Sequence, residues 1–118
     1  MRGFILFAHG SRDPQWRKPV EAVAQRLRDR APGSPVRCAY LELTTPDLPT
    51  AAADLIAAGV RSVRITPVFL GTGKHAREDL PVLVEQLRQA HPAVDFSLQQ
   101  PVGEDARLLD LIAQIAAE

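Results

Sequence analysis

Three side chains of the kinds that bind divalent metals recur at one interval: His9, Glu42 and His75 stand 33 residues apart in turn. Two imidazoles and a carboxylate suit a first-row divalent ion and leave coordination positions open for exchange. Imidazole also accepts protons near neutral pH. Cations gather around these residues. Arg12, Arg17 and Lys18 follow His9 with only Asp13 among them, and Lys74 and Arg77 flank His75 with no acid before Glu78. Guanidinium forks and ammonium groups so placed suit a ligand carrying several carboxylates. Trp16, the only tryptophan, has two readings, stacking on a flat ligand or plain packing of the first helix. His91, beside Pro92 at a helix end, is favoured there by the helix dipole and is not a site candidate. The lone Cys38 forms neither an internal disulfide nor a thiolate cage, so a metal site here must use His, Asp or Glu.

A shared interval carries chemistry only if the three segments converge in space. Short apolar runs alternate with helical periodicity four times along the chain. Gly3 to Ala8 reads as a strand, and Val20, Val23, Ala24, Leu27 and Ala31 follow as a helix face, with Asp13-Pro14 as its predicted start and Pro32-Gly33 as its stop. Val36 to Leu41 is the second strand; Thr45, Pro46 and Asp47 open a helix with Leu48, Ala52, Leu55 and Ile56 inward, closed at Gly59. Val60 to Thr66 is the third strand. A loop through Gly71 and Gly73, expected to hold Lys74, His75 and Arg77, leads to a helix face of Leu80, Leu83, Val84 and Leu87. Val94, Phe96 and Leu98 alternate as a fourth strand, and Leu108, Leu111, Ile112 and Ile115 make a last helix.

Alternating units with short connections imply a three-layer α/β domain: a parallel sheet, right-handed crossovers and helices on both faces. The first strand is apolar throughout and the fourth alternates, which places the first inside and the fourth at an edge. The predicted order is 2-1-3-4, flavodoxin-like, although Arg61 and Arg64 sit awkwardly in a central third strand. In that order the chain reverses direction between strands 1 and 3, and ligands of open α/β sheets bind at the carboxyl ends of strands flanking such a point. His9 follows strand 1, Glu42 follows strand 2 and His75 follows strand 3, so all three are expected on one edge.

Composition bounds the rest. The 118 residues are 46% apolar and 24% charged, with 14 basic against 14 acidic side chains. That describes one domain, expected over residues 1–118, with a core but without two lobes able to enclose a large ligand. A second wall would come from another chain. Zero formal charge removes the electrostatic footprint of a nucleic-acid or anionic-membrane binder. No apolar run approaches the ~20 residues of a membrane span, and the Phe4 to Ala8 run is short for a signal-peptide core; a cytoplasmic address is the expectation. Gly71-Thr72-Gly73-Lys74 looks like the end of a P-loop, but Val68 stands where that motif has glycine and His75 where it has Ser or Thr, so ATP is not an expected ligand. Ala8-His9-Gly10 lacks the arginine of the Arg-His-Gly found in histidine phosphatases.

Taken together, Phe7-Ala8-His9-Gly10-Ser11-Arg12, Tyr40-Leu41-Glu42 followed by Pro46, Pro67-Val68-Phe69-Leu70 and Gly73-Lys74-His75-Ala76-Arg77-Glu78-Asp79-Leu80-Pro81 resemble the small, single-domain CbiX-type sirohydrochlorin chelatases of the class II chelatase family. The resemblance runs along essentially the whole chain. It implies an ATP-independent metallochelatase, a lyase-type enzyme that inserts Co2+, or in relatives Fe2+ or Ni2+, into a tetrapyrrole with eight carboxylates on the route to cobalamin, siroheme or coenzyme F430. It further implies that His9 and His75 bind the metal and accept protons, that Glu42 is a third polar contact, that Arg12, Lys74 and Arg77 hold substrate carboxylates, and that two copies pair as a homodimer around the cleft. Two other classes compete. A metal carrier or sensor would use the same histidines without chelating. A flavodoxin-like phosphate-ligand module would use the backbone N–H groups of the Gly71 to Gly73 loop and leave the histidines incidental.

Overall fold

The strand with the most continuous apolar run takes the interior of the sheet. A computed structural model describes residues 1–118, with β1 (Arg2–Ala8), α1 (Lys18–Arg30), β2 (Val36–Tyr40), α2 (Leu48–Ala57), β3 (Ser62–Pro67), α3 (Lys74–Ala90), β4 (Asp95–Leu98), a 3-10 turn at Val102–Glu104, and α4 (Ala106–Ala116). All strand pairs are parallel and the order is β2-β1-β3-β4, as the polarity pattern predicts. Alternate residues of β1 point to opposite faces, and both faces are covered. Ile5 and Phe7 join the larger apolar cluster with α2 and α3, while Leu6 and Ala8 pack with Val20 and Ala24 of α1.

The arginine in β3 has a structural reason. Val63, Ile65 and Pro67 are buried on the side of α2 and α3, whereas Ser62, Arg64 and Thr66 are only half-buried. Arg64 and Thr66 register with Phe4 and Leu6 of β1, so they share the face that α1 covers only over β1 and β2. The β3 half of that face has no helix over it, and Arg64 Nε is buried there without a hydrogen-bond partner. The helix that would close this half is α4, yet none of its residues is buried, and Leu111, Ile112 and Ile115 are 50%, 40% and 59% exposed. Its departure is set by the preceding turn. Gly103 N–H donates to Phe69 O at 2.9 Å, and a Cβ on Gly103 would stand 1.7 Å from Leu70 O. Only glycine lets the turn dock on the end of β3 and launch α4 outward.

Two helix starts differ from the sequence reading. α1 begins at Lys18, with Arg17 as its flanking residue and Pro19 in the first turn, not at Asp13-Pro14. Asp13 instead caps a separate turn, accepting from Gln15 N–H through its side chain at 2.9 Å and from Trp16 N–H through its carbonyl at 3.1 Å. The turn lays Trp16 edge-on against Tyr40 of β2, with ring centroids 6.2 Å apart, and leaves it partly exposed. Lys74, His75 and Arg77 are not in the glycine loop but in the first turn of α3, which Gly73 opens. Val23 also departs from its expected inward position and is exposed. His91 ends α3 and packs against Phe96. No helix is long and apolar enough to cross a membrane.

Ile65, fully buried between β1, α3 and β4, carries the first prediction: Ile65→Ala costs about 3 kcal/mol and lowers Tm by roughly 10 °C, read by thermal unfolding. Tyr40, the only tyrosine, carries a pH prediction. Burial first, then the neighbouring Cys38 and Glu21, push its phenol up to about 12. The phenol ionises near 10 once unfolded, so its contribution to stability is complete below that pH and is lost as pH rises towards 12. Tyrosinate absorbance is expected to appear near pH 12 in the folded protein and near pH 10 in denaturant.

Candidate functional site at the carboxyl edge

Hydrogen bonding between β1 and β2 continues past the ends of both strands. Leu41 N–H donates to Ala8 O at 2.9 Å and Glu42 N–H to His9 O at 3.0 Å. Two residues on, the Thr44 hydroxyl takes over, donating to Ser11 O at 2.8 Å and accepting from Ser11 N–H at 3.1 Å. The skipped position is occupied by Gly10 and Leu43, both with positive φ, +105° and +62°. The loops touch so closely that a Cβ on Gly10 would stand 1.8 Å from Glu42 O.

This backbone zipper brings His9 and Glu42 together. His9 Nε2 lies 2.8 Å from Glu42 Oε1, with both side chains 54% exposed. An ionised carboxylate only accepts, so Nε2 carries the proton of this pair and the ring's lone pair is on Nδ1. A carboxylate partner of this kind fixes the tautomer and the ring orientation of an imidazole that binds a metal or takes a proton. Exposure keeps the pair labile, since water competes for each partner.

His75 reaches the edge from the other flank, exposed on the first turn of α3. It does not complete a three-ligand cluster with His9 and Glu42, because no group of three or more His, Cys, Asp or Glu side chains lies close enough to hold an ion. The structure therefore brings two of the three expected ligands into contact and leaves the third on a different element. Arg12, Lys74 and Arg77 are all exposed, and none enters a salt bridge. Arg17 differs, held by Glu21 at 3.0 Å. Cys38 is half-buried, and burial pushes its thiol up.

Neither His9 nor Glu42 lines any of the five main hollows. The largest hollow, about 460 Å3, lies between α1 and β2 beside Arg17, Arg28, Arg37 and Tyr40, and one of about 250 Å3 lies between α3 and β4 beside Arg77 and Pro101. The His9–Glu42 pair faces open solvent along the sheet edge. Such a surface suits a large flat ligand better than a small enclosed one.

Sequence reasoning missed the Ser11–Thr44 clamp and the left-handed Leu43. A signal was present, since Ser11 and Thr44 repeat the interval that separates His9 from Glu42. Gly10→Ala meets both the positive φ and the backbone contact, and is expected to destabilise the fold by more than about 2 kcal/mol. Where the variant folds, the His9 side-chain NMR signals should lose their coupling to Glu42.

The family model described as CbiX matches residues 3–118 of the chain. The sirohydrochlorin cobaltochelatase of Sulfolobus acidocaldarius is 27% identical over 116 residues, covering 98% of this chain and 90% of its own. Among solved structures, a CbiX protein from Marinobacter aquaeolei VT8 is 32% identical, with a TM-score of 0.86 and coverage of 99% and 95% of the two chains. The sirohydrochlorin chelatase SirB of Bacillus subtilis subspecies spizizenii, solved with cobalt, shares the fold at 22% identity and a TM-score of 0.80; this chain spans 48% of its length.

Proposed function

The chain belongs to the CbiX family, and on that premise we propose that it is a sirohydrochlorin chelatase, inserting a divalent metal into the ring without ATP. The observation that carries the reading is the His9–Glu42 pair at an open sheet edge among cations with no partner of their own. Metal insertion exchanges two pyrrole protons for one divalent ion, so the enzyme must deliver the ion and accept protons at the same place. His9 and His75 do both in turn: each offers a free ring nitrogen to the ion and, once the ion has passed to the macrocycle, takes one of the two pyrrole protons there. Glu42 holds His9 by one oxygen and offers the other to the ion. Arg12, Lys74 and Arg77 hold the substrate carboxylates. A set of tight ligands closed around the ion would oppose its release to the macrocycle; two loose contacts and a third on a separate helix favour transfer. Relatives named for cobalt support Co2+ as the ion, with Fe2+ and Ni2+ as the alternatives. The cytoplasm is the proposed location.

The reading includes a homodimer. An exposed apolar stripe on α4 and a sheet half without a helix are two incomplete surfaces on one molecule, and a second copy satisfies both kinds of deficit at once. Sedimentation is expected to give twice the chain mass for the native protein and the single-chain mass for the Leu111→Asp/Ile112→Asp variant. A native monomer would remove the dimer from the reading.

Anaerobic incubation with sirohydrochlorin and Co2+, Fe2+ or Ni2+ in turn, followed by absorbance, tests the activity. Native protein is expected to accelerate insertion of at least one ion. His9→Ala and His75→Ala are each expected to lower kcat by about 100-fold or more, with the substrate still bound. Native rates in both variants would overturn these roles.

A further inference from the structure

Leu43 is disfavoured twice over where it stands. Its φ of +62° lies in the left-handed region, which a side chain with a Cβ enters at a cost and which asparagine or glycine tolerates better. The residue is also 54% exposed, so little burial in this chain offsets that cost. The backbone leaves it no way out. Thr44 N–H donates back to Glu42 O at 2.7 Å, closing a three-residue turn of the strained positive-φ kind around Leu43. Thr44 is in turn held to Ser11 by both bonds of its hydroxyl. Glu42, the residue before Leu43, is the partner of His9. A strained, water-facing leucine is thus fixed one residue from the proposed point of metal transfer.

Across β1, the end of β3 carries a second exposed leucine. Leu70, three residues beyond β3, is 66% exposed, and the close approach of Gly103 to its carbonyl fixes its backbone. Apart from Trp16, which packs on Tyr40, the other groups identified at this edge are polar: His9, Glu42, His75 and the three free cations. A tetrapyrrole has two unlike parts, a rim of carboxylates and a broad apolar face. The cations answer the rim, and the two water-facing leucines answer the face.

We propose that Leu43 is a substrate-contact residue: held out by the Ser11–Thr44 clamp, it lies against the apolar face of the macrocycle, with Leu70 as the matching contact from the β3 side. The inference rests on the chelatase reading and adds a determinant of substrate binding to it. The contact is made in the ground state and the transition state alike, so its loss raises KM and leaves kcat in place.

The test compares Leu43→Asn with Leu43→Met. Asparagine accepts the left-handed backbone and removes the apolar surface, whereas methionine keeps that surface. Leu43→Asn is expected to raise KM for sirohydrochlorin about tenfold with kcat within about twofold and Tm unchanged or higher; Leu43→Met stays within about threefold of native KM. Equilibrium titration of metal-free sirohydrochlorin, read by its absorbance, should show the same tenfold loss of affinity in Leu43→Asn. A native-like KM and affinity in Leu43→Asn overturn the contact while leaving the chelatase reading intact. A fall in kcat without a rise in KM also overturns it, since that marks Leu43 as a positioner of Glu42. A native chain that binds the ring but inserts no metal overturns the chelatase reading, and the titration still decides Leu43. A native chain that neither binds nor chelates overturns both.

Discussion

The carboxyl edge depends on one backbone contact, the approach of the loop after β1 to the loop after β2. Parallel strands hydrogen-bond at regular intervals, and here the ladder runs on through Ala8–Leu41 and His9–Glu42 after the strand geometry has ended. Two chains this close leave no volume for a side chain between them, which is why residue 10 is glycine. Remove that contact and His9 and Glu42 lose their common reference. Two solvent-exposed side chains do not hold each other at 2.8 Å by their own attraction, which is worth under ~1 kcal/mol at such exposure. The backbone sets their separation, and the ion pair follows from it.

That division of labour suits the proposed transfer, in which the edge binds an ion and then lets it go. A rigid frame supplies position while the contacts themselves stay weak, exposed and exchangeable. The same logic extends to the charges around the pair. Arg12, Lys74 and Arg77 are kept without acidic partners, so an incoming polyanion need not break an existing bridge to be held. Leu43 carries the idea into the apolar part of the surface, where the frame holds a side chain out in water that the chain's own folding would have buried or replaced.

The opposite face of the sheet tells a related story of incompleteness. β3 is interior to the sheet but covered on one side only, so it tolerates Arg64 and Thr66 at alternate positions. α4 has an amphipathic sequence but no core to lie on. Both follow from the turn at Gly103, whose fit against Leu70 O directs the last helix away from its own sheet. A domain of this size has little apolar surface to spare, and leaving a whole helical stripe exposed is an arrangement expected of a surface completed by association.

Much of this architecture was legible in the chain order of residues. The four strand-helix units, the position of β1 inside the sheet and the strand order all follow from local periodicity and from which runs are apolar on both faces, because burial on one or two sides leaves a period in the sequence. The gathering of His9 and Glu42 at one edge followed from the same order. What periodicity does not record is where a helix's first turn begins when a capped turn precedes it, as at Asp13, or when a glycine-rich loop leads straight into it, as at Gly73. Nor does it record contacts made by the backbone alone. The Gly10 approach, the Thr44 hydroxyl bridging Ser11, the left-handed Leu43 and the outward course of α4 are decisions of the tertiary structure. Each arises where segments distant in sequence meet at van der Waals distance, and a single side chain's presence or absence there leaves no repeating trace along the chain.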